Sequence, residues 1–170
     1  MGRSENSYLD FAENDYFFFR KAYDSGNNGS ALAAIGQNIC ERYLKHIVAE
    51  YAEPETEEEY HKTEKALRTH NLQILMRYIH ETMGLSIPEE MEEKLDRING
   101  FYFTTRYPGD DCFIATEKDI DKANAAVESA RRFTSHPPQA PALKGKDRRA
   151  GACPYLSLQC LWHPACPQQC

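Results

Sequence analysis

The stretch ALAAIGQNICERYLKHIVAEY, residues 31–51, decides the fold. In it Leu32, Ile35, Ile39, Tyr43, Ile47 and Tyr51 recur every three or four residues, which sets them down one side of a helix. Gly36 lies beside that stripe and permits another helix to cross closely. Ahead of it, Ser25-Gly26-Asn27-Asn28-Gly29 suits a turn, because Gly and Asn tolerate left-handed backbone, and Ser30 is placed to cap the helix that follows.

The same rhythm continues on both sides. Upstream, Tyr8, Phe11, Ala12, Asp15, Phe18, Phe19, Ala22 and Tyr23 form a stripe over Ser7 to Asp24. Downstream, Pro54 breaks an acidic connection, and Glu57, Glu58 and Glu59 suit the positive end of a third helix. Its expected inner face is Leu67, Asn71, Ile74, Leu75, Tyr78, Ile79 and Met83, with Gly84 closing it. Ser86 as cap with Pro88 in the first turn opens a fourth helix, expected to run through Met91, Leu95, Ile98 and Tyr102. Pro108-Gly109-Asp110-Asp111 breaks the pattern, and Thr116 starts a fifth helix carrying Ile120, Ala123, Val127, Ala130 and Phe133 inward. Phe101 to Thr105 alone has strand composition, but its helical flank outweighs that. The expected fold is all-α, an up-and-down bundle of four to five helices over residues 1–137.

Composition bounds the function. Residues from 138 to 170 change character: prolines cluster, acids stop after Asp147, and Lys144, Lys146, Arg148 and Arg149 form a basic patch. This Pro- and Cys-rich segment is expected to be a disordered tail. A net charge of −6 argues against a broad basic face for nucleic acid, so no DNA partner is expected, although a local basic pocket remains open. No apolar run approaches a membrane span and the start lacks a signal-peptide core, which makes the cytoplasm the expected location. Cys40, inside a helical pattern, reads as a small buried thiol. Cys153, Cys160, His163, Cys166 and Cys170 supply enough soft ligands for zinc, but their spacing is not that of a finger, ribbon or knuckle. The tail is read as an accident of the gene end, and neither metal nor cofactor is expected.

Four segments carry a family resemblance: Phe11-Ala12-Glu13-Asn14-Asp15-Tyr16, Gln37-Asn38-Ile39-Cys40-Glu41-Arg42-Tyr43-Leu44-Lys45, Thr69-His70-Asn71-Leu72 and Arg106-Tyr107-Pro108. In that order, over residues 7 to about 135, they resemble the HEPN (higher eukaryotes and prokaryotes nucleotide-binding) family. The resemblance implies a four- or five-helix bundle, often a homodimer. It also implies a role as a ribonuclease toxin of a toxin–antitoxin pair, as the partner of a small nucleotidyltransferase, or as a module binding nucleotide or RNA. Active ribonucleases of the family carry Arg, four to six residues, then His. Here Arg42 and His46 have three residues between them, Arg68 and His70 have one, and no His follows Arg106 at the interval. The motif is therefore read as absent, and a non-catalytic dimerising module is the preferred expectation.

Metal-independent RNA cleavage needs a base for the 2′-hydroxyl proton and a cation for the phosphate, aimed at one point. The candidates are Arg42 with His46, which share a helix face, or Arg106 with His70. Glu41 and Lys45 have the favoured order of a helical ion pair, expected at the surface. Alternatively Gln37, Asn38, Glu41 and Lys45 form a polar stripe facing His70, Asn71 and Arg106, either as a nucleotide or RNA pocket or as a structural hydrogen-bond network. His70 reads first as a core histidine that fixes helix packing. Arg106 either holds a phosphate or ties down its loop through Asp110 or Asp111. Exposed aromatics such as Tyr16, Phe17 and Phe18, or Phe101 and Phe103, would instead mark a purely structural interaction protein.

Overall fold

A computed structural model describes residues 7–136, and among them there are helices, turns and loops but no strand. The helices are α1 (Tyr8–Asp24), α2 (Ser30–Tyr51), α3 (Glu57–Arg68), α4 (Leu72–Arg77), α5 (Glu89–Ile98), α6 (Phe101–Thr104) and α7 (Glu117–Ser135). α4 runs on into a π-helical turn, Tyr78–Thr82. The tail and its Cys153, Cys160, His163, Cys166 and Cys170 lie outside the described residues.

α2 is the axis of the bundle, and the other six helices all pack against it. Its burial therefore runs all round rather than down one stripe. Leu32, Ala33, Ile39, Cys40, Tyr43, Leu44, Ile47 and Val48 are core, and Gln37, Glu41 and Lys45 are buried with them. Tyr51, expected on the inner stripe, is exposed because it ends the helix. Cys40 is fully buried, and burial drives its thiol pKa up.

α1 begins with a capping box: the Ser7 side chain accepts from Asp10 N–H while the Asp10 carboxylate takes the Ser7 N–H. Phe17, Phe18 and Phe19 are consecutive, so at about 100° per residue only one can point inward. Phe19 does, because it completes the stripe Ala12, Tyr16, Phe19, Tyr23, and the expected inward Phe18 is 60% exposed.

Two expected long helices are each broken in the middle. The third stops at Arg68 and restarts at Leu72, because Asn71 caps α4 by accepting from Ile74 N–H at 3.2 Å. A capping side chain competes with helix continuation. Leu75 and Ile79 are core as expected, but Ile74 is exposed. The fourth breaks at Asn99 and Gly100, where φ is +104° and only glycine is unstrained, and α6 follows as a single turn. Two caps are also displaced. Gly29 holds the N-cap of α2, and Ser30 Oγ instead accepts from Ala115 N–H at 3.0 Å; α5 starts at Glu89 behind Pro88, with Ser86 outside it.

Gly36 makes the closest crossing. A Cβ there would sit 2.9 Å from Ala123 Cβ on α7 and 3.2 Å from the Phe19 ring, a contact that must be relieved by moving a helix. Gly36→Ala should lower the unfolding free energy by about 1–3 kcal/mol in urea denaturation with the m-value unchanged. A gain in stability would show that α2 and α7 do not cross this closely.

Candidate functional site

The two breaks meet beside α2, and one side chain joins them to it. Gln37, fully buried, donates from Nε2 to the His70 carbonyl at 3.0 Å and accepts at Oε1 from Tyr102 N–H at 2.7 Å. Both ends of the amide are thus satisfied, as burial requires. Asn99 ties the junctions to one another: Oδ1 accepts from Leu72 N–H at 2.9 Å, and Nδ2 lies 3.4 Å from Asn71 Oδ1. Between them lies an open cleft of about 270 Å³ lined by Thr69, His70, Asn71, Asn99, Gly100 and Phe103.

The floor of this region is charged. Lys45 Nζ donates to Glu41 Oε1 at 2.7 Å, with side chains only 7% and 8% exposed, so the pair expected on the surface is in fact buried. The Glu41 carboxylate also meets His70 Nδ1, at 3.2 Å and 3.1 Å from its two oxygens. An ionised carboxylate only accepts, so Nδ1 is the nitrogen that donates to it, and Nε2 is left for other partners. His70 is no core histidine. Its side chain is 53% exposed, stacked on Tyr102 at 5.7 Å between ring centroids, with Phe103 edge-on at 6.3 Å. The Arg106 guanidinium lies over the Tyr102 ring at 4.8 Å, and no ion pair among the described residues joins it to Asp110 or Asp111. Gln37, Glu41, Lys45, His70, Asn71 and Arg106 are therefore neighbours in space, linked through Tyr102.

Arg42 and His46 belong elsewhere. Arg42 pairs with Asp15 of α1 and covers Phe11, so its charge is already matched. His46 is half-buried, and burial holds its pKa below the ordinary value against the opposing pull of Glu50 and Asp10. One Arg–His pair at the ribonuclease interval, Arg131 and His136 with four residues between, escaped the reading of the sequence. Arg131 grips Glu13 with Nε–Oε1 and Nη2–Oε2 both at 2.9 Å and lies 4.1 Å from the Tyr16 ring centroid, while His136 is the C-cap of α7. This fork joins α1 to α7, and Tyr43 reinforces it by donating to Glu13 at 2.8 Å.

Tyr102, Asn99 and Gly100 carry no site signal in the sequence, and of the two aromatics expected on an exposed interaction face Phe103 is exposed while Phe101 is buried. The Asn99-Gly100 dipeptide, a strong turn signal, was the available clue to the second break. Among the described residues, no group of His, Cys, Asp and Glu is arranged to hold a metal ion, and no helix is long and apolar enough to cross a membrane.

Residues 59–136 match the family model of the HEPN domain. Over this stretch the chain is similar to the HEPN domain. No match was found among curated proteins or among solved structures. The HEPN stretch spans α3 to α7 and includes His70, Asn71 and Arg106, whereas Gln37, Glu41 and Lys45 come from the helix before it.

Removing one partner of a buried ion pair leaves an uncompensated charge. Lys45→Ala should destabilise the protein by about 3 kcal/mol in urea denaturation, and Glu41→Gln/Lys45→Met by much less. Equal losses would mean that the pair is solvated. His46 supplies a pH test: with a depressed folded pKa the native state binds fewer protons than the unfolded state, so stability should fall as pH drops from about 7 toward 5. His46→Gln should flatten that part of the profile, and an unchanged slope would assign it to other groups.

Proposed function

We propose that this HEPN module acts by binding rather than by cleaving: the cleft at the α3–α4 and α5–α6 junctions takes a nucleotide or an unstacked base of RNA. The observation that carries this reading is the fixed, half-exposed His70 ring beside Phe103, which is 51% exposed, with the Asn71 and Asn99 amides on the same wall. Aromatic faces stack bases, amides read their edges, and the Arg106 guanidinium matches a phosphate. The protein works as a homodimer or beside a protein partner such as a nucleotidyltransferase. Apolar contact surface for either is available on α1, where Phe11, Phe17 and Phe18 are exposed.

The Arg and His pairs support the non-catalytic side of this reading. Arg42 is matched by Asp15, Arg131 by Glu13, and neither shares a hydrogen bond with a histidine. A second reading, a divergent metal-independent ribonuclease, is favoured by one contact: Glu41 orients His70 as an acid orients a catalytic base, with Arg106 nearby.

Titration calorimetry with AMP, GMP and UMP tests the first reading. At least one should bind, and His70→Ala or Phe103→Ala should weaken it by about tenfold, the loss of one stacking partner. No binding by any of the three would contradict it. Incubation with structured RNA tests the second: cleavage abolished in His70→Ala and Arg106→Ala would replace the binding reading with an enzyme, and His46→Ala and His136→Ala would show whether another histidine is the base.

A further inference from the structure

A second feature lies on a different face, between α5 and α7. Lys118, Lys122, Ala125, Ser129 and Arg132 follow one another at helical spacing, so they share one side of α7. Lys94 and Arg97 oppose them from α5. Lys94, Arg97, Lys118, Asp121, Lys122 and Ala125 line an open cleft of about 330 Å³, and Lys94 Nζ reaches Ser129 Oγ at 3.2 Å, with Arg132 Nη2 at 3.5 Å from the same hydroxyl. Four cations thus line one groove, and a fifth, Arg132, lies on the same side of α7, in a chain whose net charge is −6. From Lys118 to Arg132 it runs about 20 Å along the helix.

The acids around it must be counted too. Lys94 pairs with Glu90 at 2.6 Å, Arg97 with Glu93 at 3.1 Å and Lys122 with Asp119 at 2.8 Å, each within its own helix. Asp121 lines the cleft but accepts from Tyr23 O–H at 2.8 Å. Lys118 and Arg132 have no ion-pair partner among the described residues. Three of the cations are therefore held only by local pairs whose acids are, apart from Asp119, largely exposed, and such pairs are weak and easily exchanged.

We propose that this groove binds a linear chain of phosphates, the backbone of single-stranded RNA or an inorganic polyphosphate. A phosphate offers several acceptor oxygens, so one group can bridge Lys118 and Lys122 while the next meets Arg97 or Lys94. A carboxylate peptide would merely replace Glu90, Glu93 and Asp119 by more of the same. Because the whole chain repels polyanions, attraction is confined to the groove and falls steeply with salt. The site is separate from the His70 cleft, so it can hold whether or not that cleft takes a nucleotide.

Fluorescence anisotropy of a labelled oligouridylate with the full chain tests it, with unlabelled polyphosphate and oligoglutamate as competitors. Binding is expected at about 50 mM salt, and Lys118→Ala/Lys122→Ala should weaken it more than tenfold while reducing the slope of log K against log salt by roughly 1.4, two contacts at about 0.7 each. Both residues are on the surface, so an unchanged melting temperature should accompany the loss. Competition by polyphosphate shows that phosphates alone suffice, and its failure with RNA still bound assigns the groove to nucleic acid. The proposal is overturned if the oligouridylate and polyphosphate both fail to bind, if the variant binds like the wild type, which would move the site to another basic region such as Lys144 to Arg149, or if oligoglutamate competes as well as polyphosphate.

Discussion

The structure depends on enclosing α2, a helix that carries Gln37, Glu41 and Lys45 among its apolar residues, on every side. Burying a polar amide and an ion pair costs free energy unless every donor and acceptor finds a partner. The partners come from the two places where neighbouring helices are interrupted: the His70 carbonyl and ring, and the Tyr102 N–H. A straight third helix would keep the His70 carbonyl in its own ladder and leave Gln37 Nε2 without its acceptor. The breaks and the buried polar residues therefore explain each other, and the cleft is the space left where the two junctions meet.

This coupling also sets which parts of the molecule were legible in its sequence. Helical periodicity located α1, α2, α5 and α7, and the glycine at position 36 marked the close approach of α7. Periodicity carried through Thr69 to Asn71 and through Asn99 to Gly100, because it counts apolar residues and is blind to a side chain that caps a backbone amide. The Glu41–Lys45 spacing was visible, but spacing alone is the same for an exposed pair and a buried one. His70 was singled out for the wrong environment: its value lies in being half-exposed beside Tyr102, an aromatic that the sequence presented as core or strand material. Arg131 and His136 were passed over, and Glu13, which holds Arg131, is more than a hundred residues away in the chain.

The functional reading follows from the division of labour among charged groups. Arg42 and Arg131 are spent on Asp15 and Glu13, joining α1 to α2 and to α7. Other cations are placed differently: Arg106 lies over Tyr102 beside His70, and Lys94, Arg97, Lys118 and Lys122 line the cleft between α5 and α7. The proposed role in recognition rests on this arrangement, with aromatic and amide groups at one cleft and positive charge at another.

The most direct test of this account is the state of the His70 imidazole, read by nitrogen NMR on selectively labelled protein near neutral pH. The account predicts a ring locked with its proton on Nδ1 against Glu41, and a change at Nε2 when a bound nucleotide approaches from the cleft. A ring averaging freely between tautomers, untouched by Glu41→Gln, would contradict the claim that the buried charges of α2 hold this histidine in place.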